Sequence, residues 1–173
     1  LGYSGKLADL VAEAMRAVGL DFETYKDRLT TTLSGGEKRK VALASILAIR
    51  SEILLLDEPF SGLDPQSNNE LVGYLHQIHS KGSTLLISTH QYEELTDFLD
   101  HVSVIEQGKD ALHGPAQDVF SRTVELEHVG LRAPLPAVIS SELRRKNWPI
   151  QPQSASLRSL EKELSRITRR GER

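Results

Sequence analysis

No cysteine occurs among the 173 residues. Disulfides, thiolate nucleophiles and cysteine-ligated zinc are therefore excluded, and a reducing compartment fits. Aromatic residues make up only 5 % and the net charge is −3. A nucleic-acid partner is not expected, because that role calls for a broad basic face with stacking aromatics. Long apolar runs are missing too: the longest, residues 41–49 (VALASILAI), is about half of the roughly 20 residues a membrane-spanning helix needs. The opening residues show no charged region followed by an apolar one, so no signal peptide is expected. They begin on Leu1 rather than Met, which suggests a longer parent polypeptide or a shortened one. What is present, 39 % hydrophobic and 26 % charged, is ordinary for a globular protein with one core and a small appendage.

Over residues 6–18, Leu7, Leu10, Val11, Ala14, Met15 and Val18 recur at helical spacing, with Gly19 as the stop. A second helix is expected after Ser34, which forms a capping-box pattern with Glu37; residues 41–49 supply its buried face. Residues 53–56 (ILLL) and 84–88 (TLLIS) are short unbroken apolar runs, suited to strands buried on both faces. Helices are predicted at 68–81 and 92–98, a strand at 102–106, and a turn at Gly108 back into 110–112. Strand, helix, strand, helix, strand is the order of βαβ units, so the class is α/β with a mainly parallel sheet. Beyond Ser121 prolines gather (Pro134, Pro136, Pro149, Pro152) and apolar runs shorten. Short helices at 137–146 and 156–168 make a small C-terminal appendage, whose last residues, 169–173, are expected to fray.

In sheets of this kind ligands gather at the carboxyl ends of strands. One run here ends in Asp57-Glu58 and another in His90. One carboxylate can hold Mg²⁺ through water. The next can polarise a water for in-line attack on a phosphoryl group, and a histidine can donate to the transferred phosphate. Taken singly, an acidic pair before Pro59 is also an ordinary loop start, and His90 an ordinary cap. His76, His79, His101, His113 and His128 are read as surface residues. Ser34, Gly35, Gly36 and Glu37 open a helix whose unpaired N–H groups attract phosphate, a pattern shared by any capped helix. Arg144, Arg145 and Lys146 beside Trp148 are read as a helix end or interface.

Taken together these segments are more specific. Leu33-Ser34-Gly35-Gly36-Glu37, followed by residues 53–59 (ILLLDEP), resembles the signature and Walker B motifs of the ABC ATPase family. Ser61-Gly62-Leu63-Asp64 looks like its D-loop and Ser88-Thr89-His90 like its switch loop, all in family order over residues 6–120. The resemblance implies a partial P-loop NTPase-like core with parallel sheet and helical subdomain, plus a small, mainly helical extension. Residues 1–123 would be the C-terminal part of the ABC ATPase domain, and residues 124–173 an extension for subunit pairing. The implied roles are Mg²⁺ support through water for Asp57, general base for Glu58 and γ-phosphate contact for His90. Ser34, Gly35 and Gly36, with Glu37 beside them, would bind ATP held by the opposite subunit. Asp64 would face the partner's phosphate loop. Phe60, where the family often has Thr or Ala, would alter loop packing more than chemistry.

The family's phosphate cradle, G-x-x-x-x-G-K-[ST], has no counterpart: Gly5-Lys6 is followed by Leu7 and Gly108-Lys109 by Asp110. No Q-loop glutamine is recognisable either. The chain alone is therefore expected to be inactive. Gly114-Pro115, Val119-Phe120, Glu125-Leu126-Glu127, Val129-Gly130-Leu131, Pro134 and Pro136 resemble the energy-coupling factor type, importers of vitamins and transition-metal ions including cobalt and nickel. That implies a fragment of an ATP-binding and ATP-hydrolysing importer subunit, peripheral on the cytoplasmic side of the membrane. Its partners would be a second ABC ATPase subunit, identical or not, and a transmembrane component. Two other readings stay open: a non-catalytic, truncated or split module that supplies only the signature half-site, and a non-transport ABC ATPase of DNA repair or translation.

Overall fold

The computed structural model describes residues 7–151 and 156–171. Lys6, Pro152 and the last two residues of the segment expected to fray lie outside them. Two compact units divide the chain, one through Gln91 and one from Tyr92. The boundary expected between residues 123 and 124 falls within the second unit.

The first unit holds helices α1 (Leu7–Ala17), α2 (Phe22–Tyr25) and α3 (Gly35–Ala48), strand β1 (Ile53–Asp57), helix α4 (Pro65–Ser80) and strand β2 (Thr84–Ser88). β1 and β2 pair in parallel, Ile53 opposite Thr84 through Asp57 opposite Ser88, with α4 as the crossover between them. The core of this unit gathers Ala14, Met15, Val18, Leu47, Leu54, Leu56, Leu71 and Leu75. Each fully buried leucine contributes about 2 kcal/mol by area removed from water. The burial of the strands differs from the expectation. Leu54 and Leu56 are buried, but Ile53, Leu55 and Leu86 are 63 %, 68 % and 63 % exposed. An unbroken aliphatic run is compatible with cover on two faces, and the described residues of this unit cover only one. The apolar face of α3 is narrower than expected as well: Ala44 and Leu47 are buried, whereas Ile46 and Ile49 stay largely exposed.

The second unit pairs β3 (His101–Glu106) antiparallel with β4 (Lys109–Pro115) through a two-residue turn at Gln107 and Gly108, both with positive φ. Among the described residues, the strand expected at 102–106 thus pairs antiparallel within this unit rather than in a parallel sheet. Helices α5 (Ala116–Ser121), α6 (Thr123–His128), α7 (Leu135–Arg145) and α8 (Leu157–Gly171) follow. Val104, Leu112, Val119, Phe120, Leu126 and Ala137 form the core of this unit. Tyr92 stacks on Phe120 at 5.5 Å between ring centres, and its hydroxyl donates to the Arg132 carbonyl. The helix expected over 92–98 shrinks to a 3₁₀ turn, Glu93–Leu95. The Thr96 hydroxyl donates to the Glu93 carbonyl at 2.8 Å.

Gly19 closes α1 as the sequence anticipates. Its φ is +69°, and the Leu20 amide reaches back to the Met15 carbonyl at 2.9 Å, the crossing bond of a glycine stop. A Cβ at this position would stand 2.2 Å from the Ser67 hydroxyl of α4. Strain and collision act together, so Gly19→Ala is expected to lower unfolding stability by about 2 kcal/mol or more, read as a lower urea midpoint. An unchanged midpoint would contradict this account of the α1–α4 approach.

Candidate functional site

The parallel register brings the ends of β1 and β2 side by side. Asp57 and Ser88 are the last paired residues, and the Ser88 hydroxyl donates to the Asp57 carboxylate. One residue further, the Glu58 amide donates to the Ser88 carbonyl at 2.9 Å. Glu58 then leaves strand geometry with φ +45°. Its carboxylate turns toward the residues after β2: Oε1 lies 3.0 Å from His90 Nδ1, and Oε2 accepts from the Thr89 hydroxyl at 3.4 Å. Glu58 is half-buried and His90 exposed. A carboxylate, a histidine and a second carboxylate on adjacent strand ends can accept a proton from water, donate to an anion and hold a hard cation, respectively.

The signature segment forms a separate arrangement at the start of α3. The Ser34 hydroxyl accepts from the Glu37 amide at 3.3 Å, and the Glu37 carboxylate accepts from the Ser34 amide at 2.7 Å, completing the expected capping box. Glu37 has further partners: the Tyr25 hydroxyl donates to it at 2.7 Å, and Arg28 stands 3.7 Å away. Its carboxylate is thus committed to shaping the helix start. Gly35 and Gly36 differ from Gly19, for no atom lies within 4 Å of where a Cβ would stand on either. Packing within the chain therefore does not call for glycine at either position. Among the described residues, no hydrogen bond or ion pair joins Ser34–Glu37 directly to Asp57, Glu58 or His90.

Asp64 is engaged within its own chain. It caps α4 by accepting from the Ser67 amide at 2.9 Å and the Ser67 hydroxyl at 2.6 Å, and Lys40 reaches it at 2.9 Å. These bonds, those from Ser67 first, hold its carboxyl far below the usual carboxylate range. Phe60, where the family often has Thr or Ala, is buried. His76, His101, His113 and His128 are exposed and His79 half-buried. Among the described residues, no group of three or more His, Cys, Asp or Glu could hold a metal ion.

Two residues that sequence reasoning passed over belong to the site's framework. Arg39 donates to the Glu58 carbonyl at 2.8 Å, and Lys40 bonds both Asp64 and Ser67. The available signal was the basic run Lys38-Arg39-Lys40, one turn inside a capped helix and upstream of an acidic loop.

Comparison with known proteins follows this geometry. A family model described as "AAA domain, putative AbiEii toxin, Type IV TA system" matches residues 6–96. The energy-coupling factor transporter ATP-binding protein EcfA2 of Clostridium tetani (strain Massachusetts / E88) is 36 % identical over 158 residues, 91 % of this chain and 55 % of that protein. Its namesake in Caldanaerobacter subterraneus subsp. tengcongensis is 37 % identical over 166 residues, 95 % and 57 % of the two chains. The chain thus spans about half the length of the curated relatives it matches. Among solved structures, an ATP-binding subunit of an ABC transporter aligns with TM-score 0.59 and 24 % identity, over 83 % of this chain and 57 % of its own. A dimeric bacterial ABC transporter cassette aligns with TM-score 0.54 and 23 % identity, over 62 % and 46 %. The fold is that of an ABC ATPase cassette.

The hydrogen bonds around Glu37, that from the Ser34 amide first, lower its pKa from 4.5 to about 2. A depressed folded-state value means a stabilising contribution that is present above the ordinary value and lost as pH falls from 4.5 toward about 2. Glu37→Gln is expected to flatten the acid limb of a stability-versus-pH curve over that window. Parallel curves for the two proteins would contradict the capping geometry.

Proposed function

The chain belongs to the AAA-domain family and is a homologue of energy-coupling factor ABC ATP-binding proteins; on that premise, we propose that it forms part of an ATP-hydrolysing importer subunit. The observation that carries the reading is the Glu58–His90 contact of 3.0 Å on adjacent parallel strand ends. Glu58 serves as general base, taking the proton of the attacking water, while its backbone is held to Ser88. His90 orients that carboxylate and donates to the terminal phosphate. ATP and Mg²⁺ fit the donor set. Asp57 offers an exposed strand-end carboxylate to a cation that otherwise keeps water and phosphate oxygens as ligands. Bound Mg²⁺ supplies charge neutralisation on the phosphoryl oxygens.

The start of α3 acts on a second nucleotide. Ser34, Gly35 and Gly36 present helix N–H groups, with open space in front of both glycines, to ATP held by the opposite ATPase subunit. Asp64, fixed by Lys40 and Ser67, shapes the loop that faces that subunit. ATP binding then closes a two-subunit interface and hydrolysis releases it, which drives a transmembrane partner. Residues 124–173 pair the ATPase subunits. No helix among the described residues is long and apolar enough to cross a membrane. The subunit sits peripherally on the cytoplasmic face through its partner, and the solute is a vitamin or a transition-metal ion.

The missing G-x-x-x-x-G-K-[ST] favours a narrower second reading for these 173 residues taken alone, a module that supplies the signature side only. A fluorescent ATP analogue with Mg²⁺ is accordingly expected to show no saturable binding to the chain up to about millimolar nucleotide, since its phosphate cradle is absent. In the complete ATPase, Glu58→Gln is expected to lower kcat by about 10²- to 10⁴-fold and to leave nucleotide binding in place. Micromolar binding by the chain alone would sink the cradle argument, and an active Glu58→Gln enzyme would sink the assignment of the base.

A further inference from the structure

Among the described residues, four non-glycine residues carry a positive φ: Arg50, Glu58, Gln107 and Asn147. Three of them have an ordinary cause. Arg50 follows the end of α3, Asn147 follows the end of α7, and Gln107 opens the hairpin turn between β3 and β4. Glu58 ends no helix and turns no hairpin. It follows a strand directly, at the point where the proposed chemistry is concentrated. A left-handed glutamate costs of the order of 1–3 kcal/mol and persists only where its surroundings over-determine it.

The surroundings of Glu58 are specific. Its amide is held by the Ser88 carbonyl at 2.9 Å. Its carbonyl accepts twice, from the Ser61 amide at 3.2 Å and from Arg39 Nη2 at 2.8 Å. The Arg39 bond is the shorter one and is charge-assisted. It is also the only bond of the three that comes from another element rather than from the strand pair or the loop itself. Both peptide groups flanking the Glu58 Cα are thereby fixed, which sets the direction of its side chain toward His90 and Thr89.

We propose that Arg39 is a positioning residue for Glu58: it reaches from the signature helix to clamp the backbone of the general base in its left-handed conformation. The inference rests on the reading of Glu58 as the base. Lys40, the next residue, holds the far end of the same loop through Asp64 Oδ2 and Ser67 Oγ, each at 2.9 Å. The loop from Glu58 to Asp64 is thus fastened at both ends to the second turn of α3. The first turn of α3 carries Ser34–Gly36, so the helix that meets one nucleotide also aims the base that acts on another. Arg39 is exposed and Lys40 only 15 % so. Truncating Arg39 therefore tests the clamp with little disturbance of packing.

The test compares Arg39→Ala, Arg39→Lys and Glu58→Gln in the complete ATPase that contains this chain. Arg39→Ala is expected to lower kcat by about 10- to 100-fold, the scale of a misaimed catalytic group, with KM for ATP within about twofold. Arg39→Lys, which can still donate to the carbonyl, is expected to recover much of the loss. In amide and imidazole NMR spectra of the chain, Arg39→Ala is expected to move the Glu58, Thr89 and His90 resonances and leave those of Tyr92 and Phe120 in place. Unchanged kcat in both Arg39 variants, with Glu58→Gln inactive, overturns the clamp while sparing the base. An active Glu58→Gln enzyme overturns the base itself. If Arg39→Ala collapses the chemical-shift dispersion of the whole first unit and Arg39→Lys does not restore kcat, Arg39 serves folding, and the proposal fails.

Discussion

The Glu58 amide donates to the Ser88 carbonyl one step past the last paired residues of β1 and β2. This bond continues the parallel ladder by one rung after strand geometry has ended, and the rest of the candidate site depends on it. With the rung in place, a carboxylate from one strand end and the Thr89-His90 pair from the other share a few ångströms of space. A slip of one residue between the strands would send Asp57, not Glu58, toward His90, since alternate residues face opposite sides of a sheet. The register is fixed upstream by Leu54 and Leu56, which bury the same face of β1.

From that rung the framework extends outward through side chains of α3. Arg39 and Lys40 sit one turn inside the helix, and each spans to the loop between Glu58 and Asp64. The capping box at Ser34 and Glu37 fixes where the helix begins, and hence where both basic residues emerge. The chain needs no buried charge network for this. Most of the polar contacts are solvent-accessible, so individually they are modest, and their effect is geometric more than energetic.

Features that depend on short range were legible in the sequence: the capping box, the glycine stop after α1, the two aliphatic runs as strands and the hairpin turn near Gly108. So was the placement of Asp57, Glu58 and His90 at strand ends, because a run such as LLLDE states where the strand stops. What escaped reading depends on distant partners. Nothing near Glu58 in sequence announces its left-handed backbone, which is held by residues 19 positions before it and 30 positions after it. The short helices α2, α5 and α6 were missed because four to six residues carry too little periodicity to detect. The helix expected over 92–98 is the opposite case, a segment read as longer than the 3₁₀ turn that forms there.

The bare aliphatic face of β1 and β2 has a colloidal consequence. Ile53, Leu55 and Leu86 line up across the two strands, so a dissolved chain carries a sticky stripe beside a short ladder. Attraction between such stripes is driven by released water rather than by heat of contact, and it strengthens as a solution warms from the cold. For the described residues taken alone, association through this stripe is therefore expected to grow on warming from the cold.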